Sequence, residues 1–142
     1  MMNEQVYENM KKYAAMLAGD GYVECGYIAV KADDGLYITA PDADFKDLAE
    51  DKITFVTDKS VEELEGNFRA AAVLLICALK TKTDDGAAAI VDSKSILEFS
   101  ARKMTLPPIL EDSAQINGVS VRATKQNTAA EVVGAISGAR NA

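Results

Sequence analysis

The chain has 142 residues, of which 49% are hydrophobic, and its 22 acidic and 15 basic residues give a net charge of −7. This length favours a single domain over residues 1–142 with one core. The basic residues are scattered among acidic ones, so a phosphate backbone would be repelled and we expect no nucleic-acid partner. The chain contains no histidine, which excludes an imidazole base and an imidazole metal ligand from its own residues.

No segment is long and apolar enough to suggest a membrane protein. The longest apolar run, residues 70–79, covers ten positions, whereas a helix needs about 20 to cross a bilayer. The polar N-terminus does not resemble a secretory signal, so we expect a cytoplasmic protein with no membrane partner. Cys25 and Cys77 show no C-x-x-C spacing, which favours two buried free thiols.

The first elements predicted along the chain are a helix and a β-hairpin. Apolar residues at helical spacing between Val6 and Leu17 indicate a helix that begins after Asn3 and ends at Gly19. Residues 22–31 are rich in aromatic and β-branched side chains. The turn residues Asp33-Asp34-Gly35 separate them from a second strand at 36–39. A short helix is expected at 45–49 and a third strand at 53–57.

The central helix has the clearest periodicity of the chain. Apolar residues recur at helical spacing from Val61 to Leu79, across about five turns. Its second half is apolar nearly all round, which indicates burial against more than one layer. A short apolar run at 87–91 then predicts a fourth strand.

The last part of the chain predicts two more helices and one more strand. A helix is expected at 95–102, followed by a rigid break at Pro107-Pro108. The turn Asn117-Gly118 leads into a strand at 119–123, and Thr128 begins a helix that Gly138 ends. Strands interleaved with helices after a hairpin predict a mixed β-sheet flanked by helices.

Few motifs with a known chemistry occur in the sequence. Neither G-x-G-x-x-G nor a P-loop is present, so nucleotide binding has no phosphate cradle. Oxygen ligands for a hard cation could come from four acidic residues if the fold brought them together. These residues are Asp92, Glu98, Glu111 and Asp112. Their spacing does not require such a site, and the alternative is an acidic, solvated surface.

Several segments resemble the class II aldolase and adducin head domain family. Residues 16–19 (MLAG), 25–31 (CGYIAVK) and 35–41 (GLYITAP) are similar to its opening helix, its S-G-N-I-S-x-R motif and its I-T-P-S-G motif. Residues 48–56 (LAEDKITFV) are similar to its L-x-x-E-D-I-V-x-V strand. Residues 89–94 (AIVDSK) fall where the family has A-V-V-H-x-H, and residues 106–110 (LPPIL) resemble a later proline-bearing loop.

The resemblance spans roughly residues 6–138 and implies an α/β fold with a class II aldolase-like mixed β-sheet in a three-layer α/β/α arrangement. Active members hold zinc with three histidines, and a glutamate exchanges the substrate proton. Here the first two histidine positions would be Asp92 and Lys94, and a lysine ammonium opposes cation binding. The third would follow the last helix in a strand beyond Ala142, so we expect a C-terminally truncated member without the zinc cofactor.

The resemblance also implies positions for substrate and for the catalytic glutamate. The ligand-binding positions would be Gly26, Tyr27, Thr39 and Ala40, with Tyr27 in place of an asparagine. Asp42 lies in the loop that binds phosphate in the family, where it would repel a dianion.

The catalytic glutamate would be Glu62 or Glu65, between which the sequence does not decide. A structural role also explains both residues adequately, because acidic side chains near a helix N-terminus interact favourably with the helix dipole.

Three functional hypotheses follow. The first is a non-catalytic class II aldolase/adducin-like domain, a pseudoenzyme that assembles as a homo-oligomer or binds a small ligand. The second is a sugar-phosphate lyase that uses carboxylate-bound metal or Lys94 as a nucleophile. The third is an unrelated α/β domain, which the absence of a hairpin followed by a central buried helix would establish.

Overall fold

The structure is a computed structural model that describes residues 2–19, 21, 23, 25–83, 86–103, 124 and 128–137. Its helices and strands are α1 (Glu4–Gly19), β1 (Cys25–Ala32), β2 (Gly35–Thr39), β3 (Ile53–Val56), α2 (Gly66–Thr81), β4 (Ala87–Asp92), α3 (Lys94–Ala101) and α4 (Ala129–Ser137). These elements confirm the predicted α/β composition. The predicted strand at 119–123 and the break at Pro107-Pro108 lie outside the described residues. No helix of the described part is long and apolar enough to cross a membrane.

The four strands form one sheet in the order β3-β2-β1-β4. All three described pairings are antiparallel, whereas the interleaved helices predicted a sheet that also contains parallel pairs. The difference arises because α2 does not connect two neighbouring parallel strands. It carries the chain from β3 at one end of the order of described strands to β4 at the other end.

The predicted hairpin is confirmed. Ala32 pairs with Gly35, so the turn between β1 and β2 consists of Asp33 and Asp34 alone. Gly35 lies close to β3, because a Cβ atom built on it would come within 2.4 Å of the Val56 carbonyl oxygen. A side chain at this position would therefore push β3 away from the hairpin.

The sheet separates two clusters of buried residues, and successive strand residues face opposite clusters. Ile28 packs with α1, whereas its neighbour Ala29 packs with α2. The cluster on the α1 face contains Met10, Ala14, Ala18, Ile28, Phe45 and Leu48. The cluster on the α2 face contains Ala29, Leu36, Ile38, Val56, Val61, Ala72, Leu75 and Leu79. Each large apolar side chain buried in these clusters stabilises the fold by about 1.5–3 kcal/mol.

The beginnings of α1 and α4 agree with the capping residues expected from the sequence. Asn3 caps α1, because its side-chain oxygen accepts a hydrogen bond from the Gln5 amide at 2.9 Å. Thr128 precedes α4, and its hydroxyl accepts a hydrogen bond from the Glu131 amide at 3.4 Å. The helix α4 packs against α2.

The prediction of one helix from Val61 to Leu79 is wrong at its beginning. A 3-10 turn, Ser60–Glu63, comes first, two extended residues follow, and α2 begins only at Gly66. The side chains of Thr57 and Ser60 cap the start of the 3-10 turn, since each accepts a hydrogen bond from the other residue's amide, at 3.1 and 2.9 Å. The break itself lies at the extended residues Leu64 and Glu65 and at Gly66, whose φ of +53° is a conformation that glycine adopts readily.

The helix predicted at 45–49 is also wrong, because these residues form a turn and an irregular segment. The Asp44 carboxylate accepts a hydrogen bond from the Lys46 amide at 2.8 Å, which favours a turn over a helix. Phe45 and Leu48 are nevertheless buried beneath α1. The Tyr7 hydroxyl holds the segment there by donating to the Leu48 carbonyl at 3.0 Å.

Candidate functional site

One end of the sheet brings together most of the positions implied by the family resemblance. At this end, here called the site end, β1 begins, β2 and β4 finish, and α3 starts. Cys25 pairs with Asp92 and Gly26 with Val91 across β1 and β4. On the other side of β1, Thr39 lies opposite Ile28. Because these strands are antiparallel, the start of β1 lies beside the ends of β2 and β4. The predicted ligand and metal positions therefore lie at the same end of the sheet.

The backbone of β4 lies very close to Gly26. A Cβ atom built on Gly26 would lie 2.2 Å from the Ile90 carbonyl oxygen. That distance is far inside van der Waals contact, so no other residue fits without moving β4. The glycine predicted as a ligand position thus has a packing role in the sheet.

The first turn of α2 lies against the start of β1. The Tyr27 and Phe68 rings stack with 5.9 Å between their centroids and 19° between their planes. Such offset aromatic pairs contribute about 0.5–1.5 kcal/mol beyond the area they bury. The contact brings Glu65, the residue before α2, to the site end of the sheet.

The two candidate catalytic glutamates have different environments. The Glu62 carboxylate forms an ion pair with the Arg69 guanidinium, which joins the 3-10 turn to α2. Glu65 has extended backbone angles and makes no capping hydrogen bond with its side chain. Both residues are exposed.

Thr39 and Ala40 use their polar groups to complete the sheet. Thr39 is fully buried, and its hydroxyl oxygen accepts a hydrogen bond from the Ile28 amide at 3.0 Å. The Ala40 amide donates to the Lys52 carbonyl at 2.7 Å. These predicted ligand positions therefore hold the three strands β1, β2 and β3 together.

The loop after β2 contains an ion pair that the sequence analysis missed. The Lys52 ammonium donates a hydrogen bond to the Asp42 carboxylate at 2.5 Å. This hydrogen bond with Lys52 lowers the pKa of Asp42, and the same contact raises the pKa of Lys52. The charge expected to repel a phosphate is thus balanced by a lysine ten residues along the chain.

Cys25 corrects the prediction of two buried thiols, because it is exposed and Cys77 is half-buried. Its position as the first residue of β1, at the end of the sheet, leaves the side chain outside both buried clusters. The thiol lies 3.4 Å from the Asp92 carboxylate. The start of α3, with the exposed residue Lys94, follows two positions later.

Of the four acidic residues considered as cation ligands, Asp92 and Glu98 lie in the described part of the chain. Glu98 forms an ion pair at 2.7 Å with Arg102, one turn further along α3. Glu111 and Asp112 lie outside the described residues. Among the residues that the structure describes, no three acidic or cysteine side chains are close enough to hold a metal ion.

Two concave surfaces of the described part lie away from the site end. A cavity of about 230 Å³ lies between the hairpin turn and the end of α2, with the Asp58–Lys80 ion pair, 2.6 Å long, in its wall. An apolar groove of about 390 Å³ lies between α1 and the strand β4 and is lined by Tyr13, Ala87 and Ala89, among others. The first is lined by charged and turn residues as well as apolar ones, and the second mainly by apolar residues.

Comparison with known proteins shows similarity at the level of the fold. No family model matches the chain, and no curated protein sequence matches it significantly. The crystal structure of L-fuculose-1-phosphate aldolase from Thermus thermophilus superposes with a TM-score of 0.67 at 15% identity, covering 95% of this chain and 70% of that chain. A second structure of an L-fuculose 1-phosphate aldolase gives a TM-score of 0.74 at 18% identity, covering 99% and 71% of the two chains. The chain therefore has a class II aldolase-like fold.

Proposed function

We propose that this chain is a non-catalytic class II aldolase-like domain, a pseudoenzyme of the cytoplasm that assembles as a homo-oligomer or binds a small ligand. The observation that carries the proposal is the occupancy of the site end by Asp92 and Lys94, at the positions that resemble two zinc-binding histidines. A lysine ammonium beside a cation is repulsive, so no zinc cofactor is expected there. The two clusters on opposite faces of the sheet support a three-layer α/β/α arrangement like that implied by the resemblance.

The other candidate site residues make contacts within the fold, which supports the same proposal. The Thr39 hydroxyl and the Ala40 amide are engaged in hydrogen bonds between strands. The Tyr27 ring is stacked on Phe68, and the Glu62 carboxylate is paired with Arg69. A substrate would have to displace these contacts before it could be held, at a cost of about 1 kcal/mol for each hydrogen bond.

The resemblance also suggests which ligand class to test. The Lys52 ammonium balances the Asp42 carboxylate, but residues 40–52 contain five acidic and two basic residues, so the loop as a whole remains acidic. A sugar phosphate is nevertheless the first ligand class to test, since the similar structures are sugar-phosphate aldolases by name.

The alternative is a sugar-phosphate lyase with an atypical metal site or a nucleophilic Lys94. This alternative is favoured by the placement of Asp92 and Lys94 at the end of β4 and the start of α3, at the same end of the sheet as the beginning of α2 after Glu65. For the lysine route, burial would have to lower the pKa of the ammonium before it could attack a carbonyl. Lys94 is exposed in the structure.

Calorimetric titration of chelator-stripped protein with zinc and manganese, repeated with dihydroxyacetone phosphate present, tests the proposal. We expect no stoichiometric heat from either metal and no metal-dependent cleavage of sugar phosphates. A micromolar or tighter site that Asp92→Asn weakens would contradict the non-catalytic proposal, with Asp47→Asn, a second exposed aspartate, as the control. Borohydride trapping of an imine that Lys94→Met abolishes and Lys46→Met retains would favour the lysine route instead.

A further inference from the structure

We draw no further inference here: the strongest candidate, the apolar groove between α1 and β4 that Tyr13, Ala87 and Ala89 help to line, carries none because nothing in the described part of the chain shows what covers it.

Discussion

The Lys52 ammonium lies 2.5 Å from the Asp42 carboxylate. Lys52 is the residue before β3, so the ion pair connects the start of β3 to the loop after β2. Ala40, in the same loop, donates its amide to the Lys52 carbonyl. Lys52 therefore holds this loop through both its backbone and its side chain.

Replacing Lys52 with methionine should raise the pKa of Asp42 toward its ordinary value of 3.8, because the hydrogen bond that lowers it is removed. Carboxyl chemical shifts measured during a pH titration would show the change. Lys46→Met, in the same loop, is the control and should leave the Asp42 titration unchanged. An Asp42 midpoint that does not move in Lys52→Met would mean that the ion pair does not form in solution.

The same pair should stabilise the fold only within a pH window. The lowered pKa of Asp42 means that its contribution is lost as the pH falls through that pKa, below 3.8. The raised pKa of Lys52 means that its contribution is lost as the pH rises through that pKa, above 10.5. Unfolding curves of the wild type and Asp42→Asn should differ between these limits and converge outside them. Equal differences at every pH would contradict the assignment.

Gly26→Ala should destabilise the protein by about 3 kcal/mol, because the new Cβ would meet backbone that can relax only by moving β4. Denaturant unfolding gives the change in the free energy of unfolding. Gly134→Ala is the matched control, since a Cβ on this exposed helical glycine meets nothing within 4 Å. That control should be stabilised by about 0.5–1 kcal/mol. Equal effects at the two glycines would rule out the close contact between β1 and β4.

Thr39→Val should cost about 1–3 kcal/mol, because it leaves the buried Ile28 amide without its acceptor. Thr39→Ser keeps the hydroxyl and should recover the loss of the hydrogen bond. Thr54→Val removes an exposed hydroxyl from the neighbouring strand and should change stability by less than about 0.5 kcal/mol. If Thr39→Val were as stable as the wild type while sugar-phosphate binding was lost, Thr39 would be a ligand residue instead.

A double-mutant cycle on Tyr27 and Phe68 should give a coupling energy of about 0.5–1.5 kcal/mol in the free energy of unfolding. Leucine at either position keeps an apolar side chain but removes the stacked ring. Tyr37 and Phe55, whose ring centroids are 5.1 Å apart at an angle of 51°, form a second pair for comparison. Coupling near zero for Tyr27 and Phe68 would mean that α2 does not rest on the start of β1.

The sequence predicted most of the described elements because their signals are local. Periodicity located α1 and most of α2, and Asp33-Asp34-Gly35 located the hairpin turn. The break before Gly66 was missed because the apolar spacing continues through Leu64 and Phe68 and does not report the backbone angles of Leu64, Glu65 and Gly66.

The candidate site was less predictable, because its contacts join residues that are distant in sequence. The resemblance selected Thr39 and Ala40 as ligand positions, but their hydrogen bonds to other strands depend on the strand register, which the sequence does not show. The Asp42–Lys52 pair, likewise, joins residues separated by a turn that was predicted as a helix.

The path of α2 from β3 to β4 has a kinetic consequence. The strands β1, β2 and β3 follow one another, so they form from contacts near in sequence, whereas Cys25 and Asp92 are 67 residues apart. Closing that long loop costs more chain entropy, so we expect β4 to join the sheet last during folding. In a hydrogen-exchange experiment, we expect the backbone amides of β4 to exchange faster than the amides that pair β1 with β2.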